Sequence, residues 1–253
     1  MNTNAHWLAQ QLTALGASVR RITVIQDIVE EIANTINETV ARKPQFLITT
    51  GGLGPTFDDK TLQGVAKALN QRLVVNPKAL EMVQERCVEY AKKRGLPTEI
   101  EMTLPRVKMA TMPENIDVVI NPIGTAPAAR ANIDGATLFV LPGVPAEMEA
   151  IFTQTIAPMI KEASGSGVFC QQSVFSEDII ESRLAPLIDE VMRDNPGVYV
   201  KSHPLRSEGK AKEELHLTIN ACQESKPADA IKKAANQLIG LIEANGGTVH
   251  SEK

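Results

Sequence analysis

The chain has 253 residues, 43% of them hydrophobic and 22% charged, with a formal net charge of −4 and a pI near 5.7. The acidic balance and the scattered basic residues exclude a duplex-binding surface, and an aromatic content of 4% offers no platform for stacking single-stranded bases. No apolar run is long enough to span a bilayer, no leader segment is evident, and the three cysteines, Cys87, Cys170 and Cys222, are an odd count without metal spacing, so we expect a cytoplasmic protein without nucleic-acid or membrane partners.

Thr3 or Asn4 is placed to cap a first helix whose apolar face is Ala5, Leu8, Ala9, Leu12 and Leu15, closing at Gly16. Val19 to Ile25 alternates and is β-branched, which predicts a strand. Asp27 with Glu30 forms a capping-box pattern ahead of a helix bearing Ile28, Ile32, Ile36 and Val40. A strand at Phe46 to Thr50 follows and runs into a glycine turn, Gly51 to Thr61, after which the spacing Leu62, Val65, Ala66, Leu69 predicts another helix. This alternation of helix and strand calls for a parallel sheet with right-handed crossovers.

The turn, Gly51-Gly52-Leu53-Gly54-Pro55-Thr56-Phe57-Asp58-Asp59-Lys60-Thr61, has the form of a phosphate site. Without Cβ atoms the backbone can approach a ligand, and the free N–H groups of the helix's first turn point at an anion there. Asp58 and Asp59 fit either helix capping or the holding of a divalent cation that also grips phosphate oxygens. A Walker loop needs Lys-Ser/Thr after its last glycine, where this chain has Pro55-Thr56, and a dinucleotide fingerprint needs a third glycine where it has Phe57.

From Pro77 to Arg94 a further helix carries Leu80, Val83, Cys87 and Tyr90, and its terminal Lys92-Lys93-Arg94 complements the helix dipole. The proline- and methionine-rich stretch Gly95 to Pro113 is an excursion from the sheet. Val118 to Ile120, a turn at Asn121-Pro122-Ile123-Gly124, the strand Leu138 to Leu141 and the turn Pro142-Gly143-Val144-Pro145 return to it, with a helix beginning at about Ala146. Ligands of open α/β sheets bind at the carboxyl ends of strands, so the turns at Gly51, Gly124 and Gly143 are expected to converge on one crevice. Glu147 is explained by the dipole at its helix start, with a direct ligand role as the alternative.

Ser164-Gly165-Ser166-Gly167 marks a linker between domains 1–163 and 168–253. Beyond it we expect a strand at Val168 to Phe175, a helix at Glu177 to Arg193, strands at Val198 to His203 and Glu214 to Asn220, a helix at Ala228 to Ala244 and a strand at Thr248 to Ser251. That is the split βαβ, ferredoxin-like order. His203, His216 and His250 stand at unrelated positions with no metal or nucleophile constellation, and His6 and Trp7 on the first helix read as surface and packing residues.

Four ordered motifs, Asn2-Thr3-Asn4-Ala5-His6-Trp7-Leu8-Ala9, Thr49 to Thr61, Asn121-Pro122-Ile123-Gly124-Thr125-Ala126-Pro127 and Leu141-Pro142-Gly143-Val144-Pro145-Ala146-Glu147-Met148, together resemble the N-terminal region of CinA-type proteins. The resemblance covers nearly the whole chain and implies, for the first domain, the three-layer, mostly parallel α/β fold of the molybdopterin-binding MoaB and Mog proteins, commonly oligomeric. It implies divalent-metal-dependent (Mg²⁺, Mn²⁺ or Co²⁺) hydrolysis of ADP-ribose- or FAD-like nucleotide pyrophosphates. A non-catalytic pterin- or nucleotide-binding module and adenylyl transfer to molybdopterin are its other readings. Carried over by motif, Asp59 and Asp27 are the catalytic acids, with Asp58 beside them as metal ligands, and Gly51, Gly52, Gly54, Thr56, Thr61, Gly124, Thr125 and Gly143 form the nucleotide and phosphate site. Family members also carry a strand and an acidic glycine loop ahead of Asn2, which leads us to expect a first domain lacking its first strand, and the C-terminal amidase domain of many bacterial relatives has no counterpart in these residues.

Overall fold

A computed structural model describes residues 2–164, 168–205, 212–221 and 227–250. They form two compact units, Met1–Ala9 with Arg20–Pro158, and Gln10–Val19 with Met159–Lys253. Of the expected linker only Ser164 is among the described residues.

Helix α1 (Thr3–Ala14), of which the residues through Ala9 belong to the first unit, is capped by Asn2, whose Oδ1 accepts the Ala5 N–H at 3.1 Å. Thr3 and Asn4 therefore lie inside the helix rather than at its cap. Residues 17–26 form no strand. A strand needs a neighbour to take up its ladder, none pairs with this stretch among the described residues, and Ile22 and Val24 are left 54% and 76% exposed. The predicted capping box is also absent: the N-cap of α2 (Val29–Val40) is Ile28, which makes no side-chain cap bond, and Glu30 instead accepts from Lys67 at 2.7 Å. That bond and the Lys67 charge hold the Glu30 carboxyl below its ordinary range. Lys67 belongs to α3 (Thr61–Ala68), which packs on α2 so closely that a Cβ on Gly64 would lie 2.3 Å from Ile32 Cγ2.

The sheet of this unit has the order β1 (Phe46–Thr50), β6 (Ala136–Leu141), β5 (Ala128–Ile133), β4 (Asp117–Val119). The parallel pairing expected from the alternation is found between β1 and β6. Strands β5 and β4 add in antiparallel, because the β5–β6 connection is the two-residue turn Asp134-Gly135, both at positive φ, which joins only adjacent antiparallel strands. Strand β6 is the spine, with Leu138, Phe139, Val140 and Leu141 all fully buried. Each such side chain contributes about 1.5–3 kcal/mol of burial. The proline-rich excursion is ordered by a small ribbon of β2 (Leu73–Val75) and β3 (Thr111–Pro113), which encloses α4 (Pro77–Lys93) and the short α5 (Leu104–Met109). Helix α6 (Pro145–Ile151) continues through a π-helical turn (Phe152–Ile156), where Phe152 meets Trp7 edge to face at 5.4 Å, into α7 (Ala157–Ala163).

The second unit contains β7 (Val168–Glu177), α8 (Glu181–Asp194), β8 (Val198–Leu205), β9 (Lys212–Ala221), α9 (Pro227–Ala244) and β10 (Thr248–His250), with antiparallel sheet order β10-β7-β9-β8. This is the ferredoxin-like arrangement read from the sequence. Leu215 and Leu217 of β9 face a core with Leu184, Val191, Ala235 and Leu238 of the helices. The histidines are not at unrelated positions. The β8–β9 register sets His203 opposite Glu214, the His203 and His216 rings lie 4.7 Å apart, and His216 Nε2 is 2.7 Å from Glu214 Oε1. No helix of the described residues is long and apolar enough to cross a membrane.

Candidate functional site

Three turns, following β1, β4 and β6, meet at one end of the first unit's sheet. At the first, Gly51 and Gly52 have φ of +99° and +69°, a region other residues enter only with strain. The Gly51 N–H bonds Leu141 O at 2.9 Å, so the turn is moored to β6 at its root. Thr61, buried at the start of α3, then folds back on it: its hydroxyl donates to Gly51 O at 2.8 Å and its N–H to Gly52 O at 3.2 Å. A Cβ on Gly52 would sit 2.2 Å from Thr61 Oγ1. Thr61 is therefore turned toward the loop backbone, not outward to a ligand.

The tip of the turn carries the acids. Asp59 does not cap α3; its Oδ2 accepts the Thr56 N–H at 2.9 Å and the Thr56 hydroxyl at 2.6 Å, and the Gly54 N–H bonds it as well. Burial pushes the Asp59 carboxyl up, but these three hydrogen bonds and the Lys108 charge outweigh it and leave it below the usual aspartate value. The exposed Asp58 reaches the same hydroxyl with Oδ1 at 2.5 Å. One hydroxyl hydrogen serves only one of the two carboxylate oxygens, so the second is held against a lone pair, a crowding that a cation or a shared proton relieves. The donor set is all oxygen, two carboxylates and a hydroxyl, which suits a hard divalent cation completed by phosphate and water. Gly52, Leu53, Gly54, Asp59, Leu62 and Lys108 are among the residues lining a solvent-open pocket of about 310 Å³ beside them.

The other two turns close on the first. Gly143 lies against Gly51, where an added Cβ would be 3.3 Å from Gly51 Cα, and its carbonyl accepts the Nδ2–H of the buried Asn4 at 2.9 Å. The Glu147 carboxylate occupies the space a Cβ on Gly124 would need. Between them stands Asn121, 1% exposed. Its Oδ1 accepts the Gly124 N–H at 2.8 Å and the Ile123 N–H at 3.2 Å, while its Nδ2 donates to Ala126 O at 2.8 Å and Glu147 Oε2 at 2.7 Å. Arg86 of α4 braces the same turn, donating to Asn121 O and Pro122 O at 3.0 and 2.7 Å. Replacing Asn121 with Ala leaves buried partners unmatched, and we expect a loss of about 2–3 kcal/mol, read as a lower urea midpoint with an unchanged slope.

The predicted residues thus divide. Gly51, Gly52, Gly54, Thr56, Asp58, Asp59 and Thr61 form one loop, Gly143 touches it, and Gly124 joins through Glu147. Thr125 is half-buried in its turn and its side chain makes no hydrogen bond among the described residues. Asp27 is exposed at a bend before α2, follows no strand, and its side chain makes no hydrogen bond or ion pair among the described residues. Among the described residues no group of three or more His, Cys, Asp or Glu side chains comes together to hold a metal. The sequence pointed to no site role for Asn4, which it offered as a helix cap, for Asn121, which it placed in a turn, or for Lys108. For Asn121 the Asn-Pro-x-Gly pattern is a usable signal of a side chain bonding its own turn; for Lys108, in a short helix of the excursion, there is none.

Residues 1–162 match the family model described as a probable molybdopterin binding domain. A protein of Aeropyrum pernix is 41% identical over the whole of this chain and 91% of its own length, and one of Pyrobaculum calidifontis is 44% identical over 96% of this chain and 90% of its own. Among solved structures, that of the protein CinA from Thermoplasma acidophilum, titled as of unknown function, superposes with a TM-score of 0.54 at 36% identity, covering 63% of this chain and 88% of that one.

Proposed function

The chain belongs to the molybdopterin-binding domain family, as a CinA-like member of it, and from that premise we propose that its first unit is a divalent-metal-dependent pyrophosphatase of ADP-ribose- or FAD-like nucleotides. The observation that carries the reading is the meeting of Asp58 and Asp59 on the Thr56 hydroxyl, on a glycine turn sealed by Gly143. Two carboxylates on adjacent residues would repel a phosphate unless a cation lay between them. Asp58 and Asp59 would hold that cation, Mg²⁺, Mn²⁺ or Co²⁺, which when bound neutralises charge developing on the phosphate oxygens. The residues themselves supply placement. Thr56 orients both carboxylates, the Gly51–Gly143 contact brings backbone up to the pyrophosphate, and the Asn121–Glu147 pair fixes the third wall.

Incubation with ADP-ribose or FAD and each of the three metals should release AMP, followed by anion-exchange chromatography. Folded protein that releases none under any of them would rule the hydrolase out. The second reading, a pterin or nucleotide carrier without turnover, is supported by a different observation: the Gly54 and Thr56 N–H groups of the turn are already bonded to Asp59, which ties that carboxylate into the loop. Tight ligand binding with no product, unchanged by Asp59→Asn, would favour it.

A further inference from the structure

Lysines near glycine turns that bind phosphates usually offer their charge to the ligand; Lys108 does not. Its Nζ donates to Gly54 O at 3.1 Å, to Asp59 O at 2.8 Å and to Thr56 O. An ammonium has three N–H donors and no acceptor, so these three carbonyls occupy all of them. The same span of loop is gripped from its other pole, where the Gly54 and Thr56 N–H groups bond the Asp59 carboxylate. We propose that Lys108 is a positioning residue that acts as a tethered cation, its ammonium filling a cage of three loop carbonyls and so fixing the shape in which Asp58 and Asp59 are presented.

The placement separates this role from two others. Lys108 makes no hydrogen bond to either carboxylate, so it is not their hydrogen-bonded ion-pair partner, although its charge reaches Asp59 through space, and its donors are committed to backbone, so it is not poised for a phosphate. The charge matters because carbonyl oxygens crowded on one point repel each other, and a cation with directed donors removes that repulsion. An arginine cannot replace it, since its planar fork does not converge on three oxygens. The importance of this loop for a phosphate ligand rests on the function proposed above, but the cage itself is testable without any substrate.

Lys108→Met keeps the aliphatic stem and removes the charge. Hydrogen exchange of the Gly54, Thr56 and Asp59 amides should quicken by about tenfold or more, the scale of a lost charge-assisted bond, and methylammonium should restore protection while tetramethylammonium, of equal charge but without N–H donors, should not. Exchange unchanged from the wild type would overturn the proposal, as would restoration by both ions or by neither, which would leave bare charge or stem packing as the role. Should the Met variant not fold, Lys108→Arg carries the test: partial loss of protection is expected, and wild-type protection overturns it. AMP release, where the wild type shows it, should fall and recover in parallel. Its absence from the wild type bears on the proposed reaction alone.

Discussion

Asp59→Asn is expected to lower AMP release from ADP-ribose by about 10²–10³-fold, the scale of losing one charged group at a developing phosphate charge, with the fold intact. The substitution is nearly isosteric. An amide oxygen still accepts the Thr56 N–H that Oδ2 takes at 2.9 Å, so the loop keeps its shape while losing the charge. A fall in kcat with little change in KM would place Asp59 at the reacting phosphate, and equal activity would remove it from the chemistry. The same variant has a pH signature. The Asp59 carboxyl is held below its ordinary value in the folded protein, so its contribution to stability is complete above the unfolded aspartate value, about 3.9, and is lost as pH falls through the lower folded one. Urea midpoints taken down from about pH 5 should therefore decline less steeply for Asp59→Asn than for the wild type, and parallel declines would show that the Thr56 and Gly54 bonds do not select the ionised form.

The glycine turn, its two flanking elements and the whole order of the second unit were legible because each is written locally: a β-branched run, glycines where φ is positive, and helical spacing of apolar residues. Residues 17–26 were misread for the opposite reason. Their alternation is that of a strand, yet a strand exists only through a partner, and nothing in those residues says whether one lies beside them. Strand β5 escaped similarly, since it reads Ala128-Ala129-Arg130-Ala131, small residues of low β-propensity that are strand by virtue of lying against β6. Within the site, the convergence of three turns could be inferred from topology. The roles could not: that Thr61 bonds the loop backbone and that Asp59 bonds Thr56 and not the helix end depend on the exact path of the turn, and that Lys108 enters from 49 residues away is a long-range fact.

The second large effect is expected at Gly52. Gly52→Ala should destabilise the protein by about 2–5 kcal/mol, combining the cost of a left-handed non-glycine residue with a part-buried carbonyl robbed of its donor. The residue's φ is +69°, and its new Cβ would lie 2.2 Å from Thr61 Oγ1, the hydroxyl that bonds Gly51 O. Either the hydroxyl turns away or the loop moves, and the loop has little room because Gly143 stands 3.3 Å, counted from an added Cβ, from Gly51 Cα. The two components separate in a double-mutant cycle. Thr61→Ala removes the hydroxyl but keeps the Cβ and N that would lie 3.1 and 3.2 Å from the new Cβ, so Gly52→Ala in that background should keep the backbone cost and these milder contacts, and the pair should couple by about 1–3 kcal/mol. Full additivity would mean that the Thr61 hydroxyl is not what Gly52 accommodates. Because the Gly51 to Thr61 hydrogen bonds also set where Asp58 and Asp59 stand, the single variant should lose AMP release beyond its loss of folded protein, and a folded Gly52→Ala with wild-type turnover would disconnect the close approach at Gly52 from the chemistry of the acid pair.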